Sequence, residues 1–263
     1  MESVAHTRLV VAVVTDGPQV VAGVVFALPI EAGRFADRVD AVTTIEAAGL
    51  TVWHGSLRSH PIAWVVGGTG VARAARACRL LIDGHRPRLV ISAGFAGGLN
   101  PHLARGSLIR PCRALRPGDQ PADLQQSTTD AVTPGRGIVT VDEVVRGIDA
   151  KRRLAEETGA DLVDMETWAV AREAGRAGLP CLGLRVVSDA AADSLPGEIS
   201  QLADARSPWH RIGLAIRTVG RRPSAIGDLW GLWERAVIDS RTLADALEHD
   251  VAALPALSPP ANA

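Results

Sequence analysis

Two acidic segments stand where apolar runs end. Asp164-Met165-Glu166 follows Leu162-Val163, and Arg185-Val186-Val187-Ser188-Asp189 closes the run from Cys181. Carboxylates so placed can face one crevice, and in partly apolar surroundings a carboxyl acquires the raised pKa that a general acid needs. Taken singly, such a carboxylate is more often a helix cap or a surface charge. Two together, with Arg185 four residues before Asp189, favour a joint site. Two glycine clusters follow other apolar runs. Gly67-Gly68-Thr69-Gly70 can turn backbone N–H groups toward a ligand oxygen or phosphate, or serve only as a tight strand-to-helix turn. Arg73 occupies the place of the third glycine of a dinucleotide fingerprint, which is therefore incomplete. Ser92-Ala93-Gly94-Phe95-Ala96-Gly97-Gly98-Leu99 has three glycines in five residues, which implies positive φ, close backbone approach or sheet curvature.

The elements that must position these groups read as βα units around a mostly parallel sheet. Strands are expected at Leu9–Val14, Val20–Leu28, Leu89–Ser92, Leu108–Ile109, Ile138–Val141, Leu162–Val163 and Cys181–Val187. Thr51–Ser56 and Ile62–Val66 form a hairpin around Leu57–Pro61. Val71, Ala74, Ala75, Cys78, Leu81 and Ile82 mark the buried face of a helix that Gly84 closes. Further helices are expected from Glu31, over Ala150–Glu157 and over Thr167–Ala177, the last with Ala169, Val170 and Ala174 inward and Arg172, Glu173 and Arg176 outward. Arg116–Pro134, rich in Pro, Gln, Asp, Ser and Thr, reads as a long loop. One domain is expected over 1–254, with a core at about 20–220, a helical segment at 208–254 and a disordered tail at 255–263.

The composition narrows the class. The chain has 263 residues and 27.6 kDa, a formal net charge of −1 and a pI near 6.7, against the basic excess of nucleic-acid binders. Lys151 is its single lysine, which reads as base composition. No apolar run approaches the roughly 20 residues that span a bilayer, and Met1–Arg8 lacks the order of a secretory signal. Three cysteines (Cys78, Cys112, Cys181) without CxxC spacing suggest reduced thiols in the cytoplasm. The seven histidines have no metal-ligand spacing, so neither metal nor organic cofactor is expected. With no Tyr and only Phe26, Phe35 and Phe95, a ligand pocket here must be mostly aliphatic.

In order and content the motifs resemble the nucleoside phosphorylase and nucleosidase superfamily, and are most similar to the 5′-methylthioadenosine/S-adenosylhomocysteine nucleosidases. The resemblance rests on Ala27-Leu28-Pro29-Ile30-Glu31, on Gly68-Thr69-Gly70 with Ala74, and on Gly94 to Leu99 followed by Gly106. It rests also on Val163-Asp164-Met165-Glu166 and Arg185-Val186-Val187-Ser188-Asp189-Ala190. A narrower likeness, to hopanoid-associated phosphorylases, lies in Thr140-Val141-Asp142, Leu195-Pro196 and the tail after Arg222-Pro223. The resemblance implies a three-layer αβα fold with a central mixed, partly barrel-like sheet, assembly as a homo-oligomer, and cleavage of a purine–ribose N-glycosidic bond. It assigns Asp189 to N7 of the leaving purine and Glu166 to the ribose hydroxyls, with Met165 against the sugar. Glu31 would handle the attacking water, Arg185 would orient nucleophile and carboxylates, and Thr69 with the amides of Gly68 and Gly70 would line the nucleophile site.

Some positions depart from the family pattern. Val144 and Val145 stand where hydrolytic members stack adenine on a Phe beside an Ile. Phe95 replaces a small polar residue, and Ser92 stands where phosphorolytic members often carry Arg. Both latter changes weaken a phosphate site, and Glu31 favours water. Phosphorolysis, with inorganic phosphate as co-substrate and Arg34 as its ligand, stays open beside hydrolysis. Trp209, Trp230 and Trp233 can cover an apolar 5′ group or merely pack a core. Two other classes also remain: a non-catalytic nucleoside-binding protein, motivated by Val144, Val145 and Phe95, and a dinucleotide-dependent oxidoreductase resting on the Gly68 region alone.

Overall fold

The computed structural model describes residues 19–126, 133–135, 137–193 and 224–255, with side chains omitted for 133–135 and 224–233. The expected strand at Leu9–Val14, the pairs Leu195-Pro196 and Arg222-Pro223, and the three C-terminal tryptophan side chains lie outside the described residues.

A mixed sheet forms the middle layer. Its centre is β5 (Leu89–Gly98), six residues longer than the apolar run that announces it. The first half of β5 lies between β1 (Ala22–Phe26) and β12 (Cys181–Asp189), parallel to both. Its last two residues pair antiparallel with β11 (Leu162–Asp164) instead. From β11 the sheet continues through β10 (Ile138–Thr140), β7 (Arg113–Leu115) and β8 (Ala122–Asp123). From β12 it continues through β6 (Leu108–Pro111) to β9 (Thr133–Gly135). The stretch read as one loop over Arg116–Pro134 thus contains β8 and the start of β9. Beyond β1 lie β4 (His60–Val66), β3 (Leu50–Leu57) and an edge strand, β2 (Asp40–Ala47). The β2–β3 and β3–β4 hairpins turn at Ala48-Gly49 and Arg58-Ser59, each with positive φ at both residues, the condition of a type I′ turn.

Strand alternation sends apolar side chains to both faces. On one face α2 (Val71–His85) and α4 (Thr167–Arg176) bury Ala74, Ala77, Cys78, Leu81, Val170 and Ala174 against Val25, Val90 and Val187. Gly23 permits that closeness, since a Cβ there would stand 2.0 Å from Leu81 Cδ2. On the other face α1 (Pro29–Ala36) and α5 (Ser224–Ala252) bury Ala32, Phe35, Leu243 and Leu247 against Phe26, Trp64 and Ile91. Arg105 and Arg110 tie α5 to the sheet through Asp239 and Asp250. α3 (Ile148–Thr158) ends at Gly159, whose φ is 66°. Helix α2 does not stop at Gly84; it runs on to His85, and Arg86 takes the left-handed position. Glu173 is buried rather than outward, paired with Arg79 and Arg176.

Candidate active site

Glu31 follows from local rules. Pro29 opens α1 at a position that needs no N–H, and Glu31 in the first turn folds back on the chain that enters the helix. Its Oε2 accepts the amides of Ala27 (3.0 Å) and Leu28 (2.7 Å), and its Oε1 accepts that of Phe95 (2.9 Å). The side chain is buried. Burial pushes its pKa up, opposed by those three amides and by the charge of Arg185. Phe95 therefore acts through its backbone as well as its ring, which lies at the rim of the α1–α5 core.

Asp164 and Glu166 part company. Asp164 lies under the sheet ends, where Thr140 Oγ1 (2.7 Å) and the Thr167 amide (2.9 Å) donate to it and Arg185 Nη2 stands at 3.0 Å. The Thr167 hydroxyl donates to Asp164 and accepts from Arg185. Arg185 Nη1 donates to Ser92 O (2.6 Å) and Leu184 O (2.8 Å), Nη2 also shares its hydrogens with Ser92 Oγ (2.8 Å), and Nε points toward Asp164 at 3.4 Å. A guanidinium has five donors, and all are engaged by protein. Arg185 thereby neutralises Asp164 and joins β5, β11, β12 and α4, while still lining a hollow with Glu31 and Glu166.

Glu166, half-buried at the N-cap of α4, turns the other way. Its Oε1 accepts the amide of Gly70 (2.7 Å) and its Oε2 that of the half-buried Met165 (3.3 Å). Its pKa is pushed up to about 8, first by burial and then by the charges of Asp164 and Glu31. Gly68 donates its own amide to Ala27 O (3.1 Å). The Gly68 and Gly70 amides, expected to line a nucleophile site with the half-buried Thr69, are thus both engaged within the protein, that of Gly70 on Glu166. Glu31, Ser92, Gly94, Phe95, Glu166 and Arg185, with Val25 to Ala27 and Ala93, line one small hollow, and Asp189 is not among its lining residues.

Asp189 ends β12 opposite Gly97, and Val163 pairs with Gly97 from the other edge of β5. At the usual strand spacing of about 4.8 Å, the ends of β11 and β12 stand about 10 Å apart. Close approach, among the readings of the β5 glycines, is what occurs: none of Gly94, Gly97 and Gly98 has positive φ, and a Cβ on Gly97 would meet Asp189 Oδ2 at 3.4 Å. Ser188 Oγ lies 2.7 Å from Asp189 Oδ1. Lys151 Nζ, from the buried side of α3, donates to Asp189 Oδ2 at 2.6 Å. Sequence reasoning missed this lysine; its being the only one in the chain was the available signal. Val145 packs on Leu99, Val139, Ala160 and Val163, and Val144 is half-buried beside it; neither lines the hollow. Among the described residues no group of three His, Cys, Asp or Glu could hold a metal.

A family model described as the phosphorylase superfamily matches residues 21–137 and 123–208. The chain is 27% identical over 148 residues to a 5′-methylthioadenosine/S-adenosylhomocysteine nucleosidase of Pseudoalteromonas translucida, a match covering 55% of this chain and 59% of that relative's length. In structure it is similar to the nucleosidase of that name from Helicobacter pylori with butyl-thio-DADMe-Immucillin-A, at TM-score 0.69 and 18% identity, over 90% of this chain and 99% of that one. It is similar also to the futalosine hydrolase of Helicobacter pylori strain 26695, at TM-score 0.65 and 17% identity, over 89% and 98% of the two chains.

Proposed function

The chain belongs to the phosphorylase superfamily, and from that premise we propose that it hydrolyses the N-glycosidic bond of a 5′-substituted adenosine, releasing the free purine and the ribosyl product. One observation carries the reading: Glu31 and Glu166, both with pKa values raised by burial, face a single hollow whose cation is already balanced by Asp164.

Breaking the bond sends its electron pair to the purine and leaves positive charge on the sugar, as in other oxocarbenium-like glycoside cleavages. Glu31 suits the base: its amide bonds fix the carboxylate, and burial increases its appetite for the proton of an attacking water. Glu166 holds a proton near neutral pH and can bind the ribose hydroxyls, donating through its O–H and accepting through its other oxygen. Asp189 relays a proton from solvent to N7 of the leaving base as the bond breaks. Water as nucleophile is supported by what an anion would meet: two carboxylates, an arginine with no donor left, and two committed glycine amides. Arg34, the alternative phosphate ligand, is half-exposed and paired with Asp37. The same proposal includes a cytoplasmic setting and a homo-oligomer, with no cofactor. Among the described residues no helix is long and apolar enough to cross a membrane.

Incubation with 5′-methylthioadenosine, S-adenosylhomocysteine, adenosine and inosine, with and without phosphate, tests it. Free base is expected without phosphate, falling about 10²–10⁴-fold in Asp189→Asn, the range of general acid catalysis. Release that strictly requires phosphate, or binding with no release, defeats the proposal.

A further inference from the structure

Lys151 has a geometry that the proposed reaction leaves unused. Its side chain is 1% exposed. Its ammonium has three N–H groups and three acceptors: Asp189 Oδ2 at 2.6 Å, Ala190 O at 2.6 Å and Asp193 O at 3.2 Å. Asp193 closes the same turn by accepting the Ala190 amide at 2.8 Å. Nζ is thereby held at the apex of a tripod, and the chain leaving β12 is held with it. Asp189 is gripped on its second oxygen by Ser188 Oγ, so the plane of its carboxyl group is set from both sides. Each carboxyl oxygen still has lone-pair capacity for a ligand.

On the functional reading above, we infer that Lys151 is the positioning residue of Asp189, the group that aims this carboxyl at the leaving purine. The lysine touches no reacting atom, and with all three N–H groups committed it neither donates the proton nor attacks the sugar. It comes from the helix that follows the Val144-Val145 loop, so the acid is aimed by an element outside the sheet that carries it. A displacement near 1 Å of a catalytic group can cost about 10²-fold in rate.

The test separates aim from mere folding by changing the leaving group. Lys151→Met is assayed in the full chain on 5′-methylthioadenosine and on a 4-nitrophenyl ribofuranoside bearing the same 5′ group, whose phenolate departs without protonation. The inference expects kcat on the nucleoside to fall about 10²-fold with KM little changed. On the nitrophenyl compound the fall should be less than about threefold, and Lys151→Arg, which keeps the charge, should recover part of the nucleoside rate. Equal losses on both substrates, or no loss on the nucleoside, overturn the inference while leaving the reaction intact. If Lys151→Met does not fold, the ratio of the two losses is read in Lys151→Arg and Lys151→Gln. A wild-type chain that releases base from no nucleoside overturns the reaction itself, and this inference with it.

Discussion

The Glu31 carboxylate occupies the space that a side chain on Gly94 would fill: a Cβ built there would stand 2.6 Å from Glu31 Oε1. Gly94 has ordinary extended backbone, so its role is room rather than conformational freedom. The next residue, Phe95, donates its amide to that same oxygen. One step of β5 thus provides both the space for the carboxylate and the bond that holds it.

Gly94→Ala is therefore expected to expel Glu31 and lower kcat for purine release at least 10²-fold, the cost of a misplaced catalytic group. Two controls bracket the effect. At Gly97 the new methyl meets Val163 Cγ1 at 3.1 Å, a contact a small shift can relieve, and at Gly33 it meets nothing within 4 Å. Gly97→Ala should cost less than Gly94→Ala, and Gly33→Ala should leave the rate unchanged. Steady-state assays of the three variants check the order; a fully active Gly94→Ala would detach Glu31 from the chemistry.

Arg185 and Asp164 are both almost fully buried and stand 3.0 Å apart. Removing one partner strands the other charge, which costs about 3–5 kcal/mol. Arg185→Met and Asp164→Asn should each lower stability by that order in urea unfolding, and the double variant by clearly less than the sum. Additive losses would mean that the two side chains stabilise the fold independently.

Much of the frame was legible because burial on both faces leaves apolar runs, as at Val20–Leu28 and, broken by the charge of Arg185 alone, at Cys181–Val187, and because α2 shows its buried face at helical spacing through Ala74, Cys78 and Leu81. The edge strand β2 was not, since Asp40–Ala47 is largely exposed and shows no apolar alternation. The β5 glycines read as a strand terminus although they continue the strand, for what makes room necessary is a pair of carboxylates distant in sequence, Glu31 and Asp189. The same non-locality hid the site's division of labour. Asp164 and Glu166 look alike along the chain, and Arg185 alone makes one a counter-ion and leaves the other on the hollow. Lys151 was set aside on composition, and only the fold brings it to Asp189.

The raised pKa of Glu166 links stability to pH with a definite sign. Unfolded, this group ionises near 4.5; folded, near 8. Between those values the folded chain binds the extra proton, so its stability decreases as pH rises and the loss is complete above about 8. Glu31, raised as well, acts in the same direction. Buried His85, with its pKa lowered to about 4 from 6.5, and His54, also lowered, act oppositely below pH 6.5, where the unfolded chain takes up the protons. The diagnostic window therefore runs from pH 6.5 to 8.5, where proton uptake by the unfolded histidines fades and Glu166 dominates. There the wild type should lose about 1–2 kcal/mol, at 1.36 kcal/mol per pH unit for a single group. Glu166→Gln keeps a carbonyl oxygen for the Gly70 amide but cannot ionise, and should show a flatter profile. Urea midpoints measured across the window decide it: stability that rises with pH in the wild type, or a slope unchanged in Glu166→Gln, would remove Glu166 from the role of the proton-holding carboxyl.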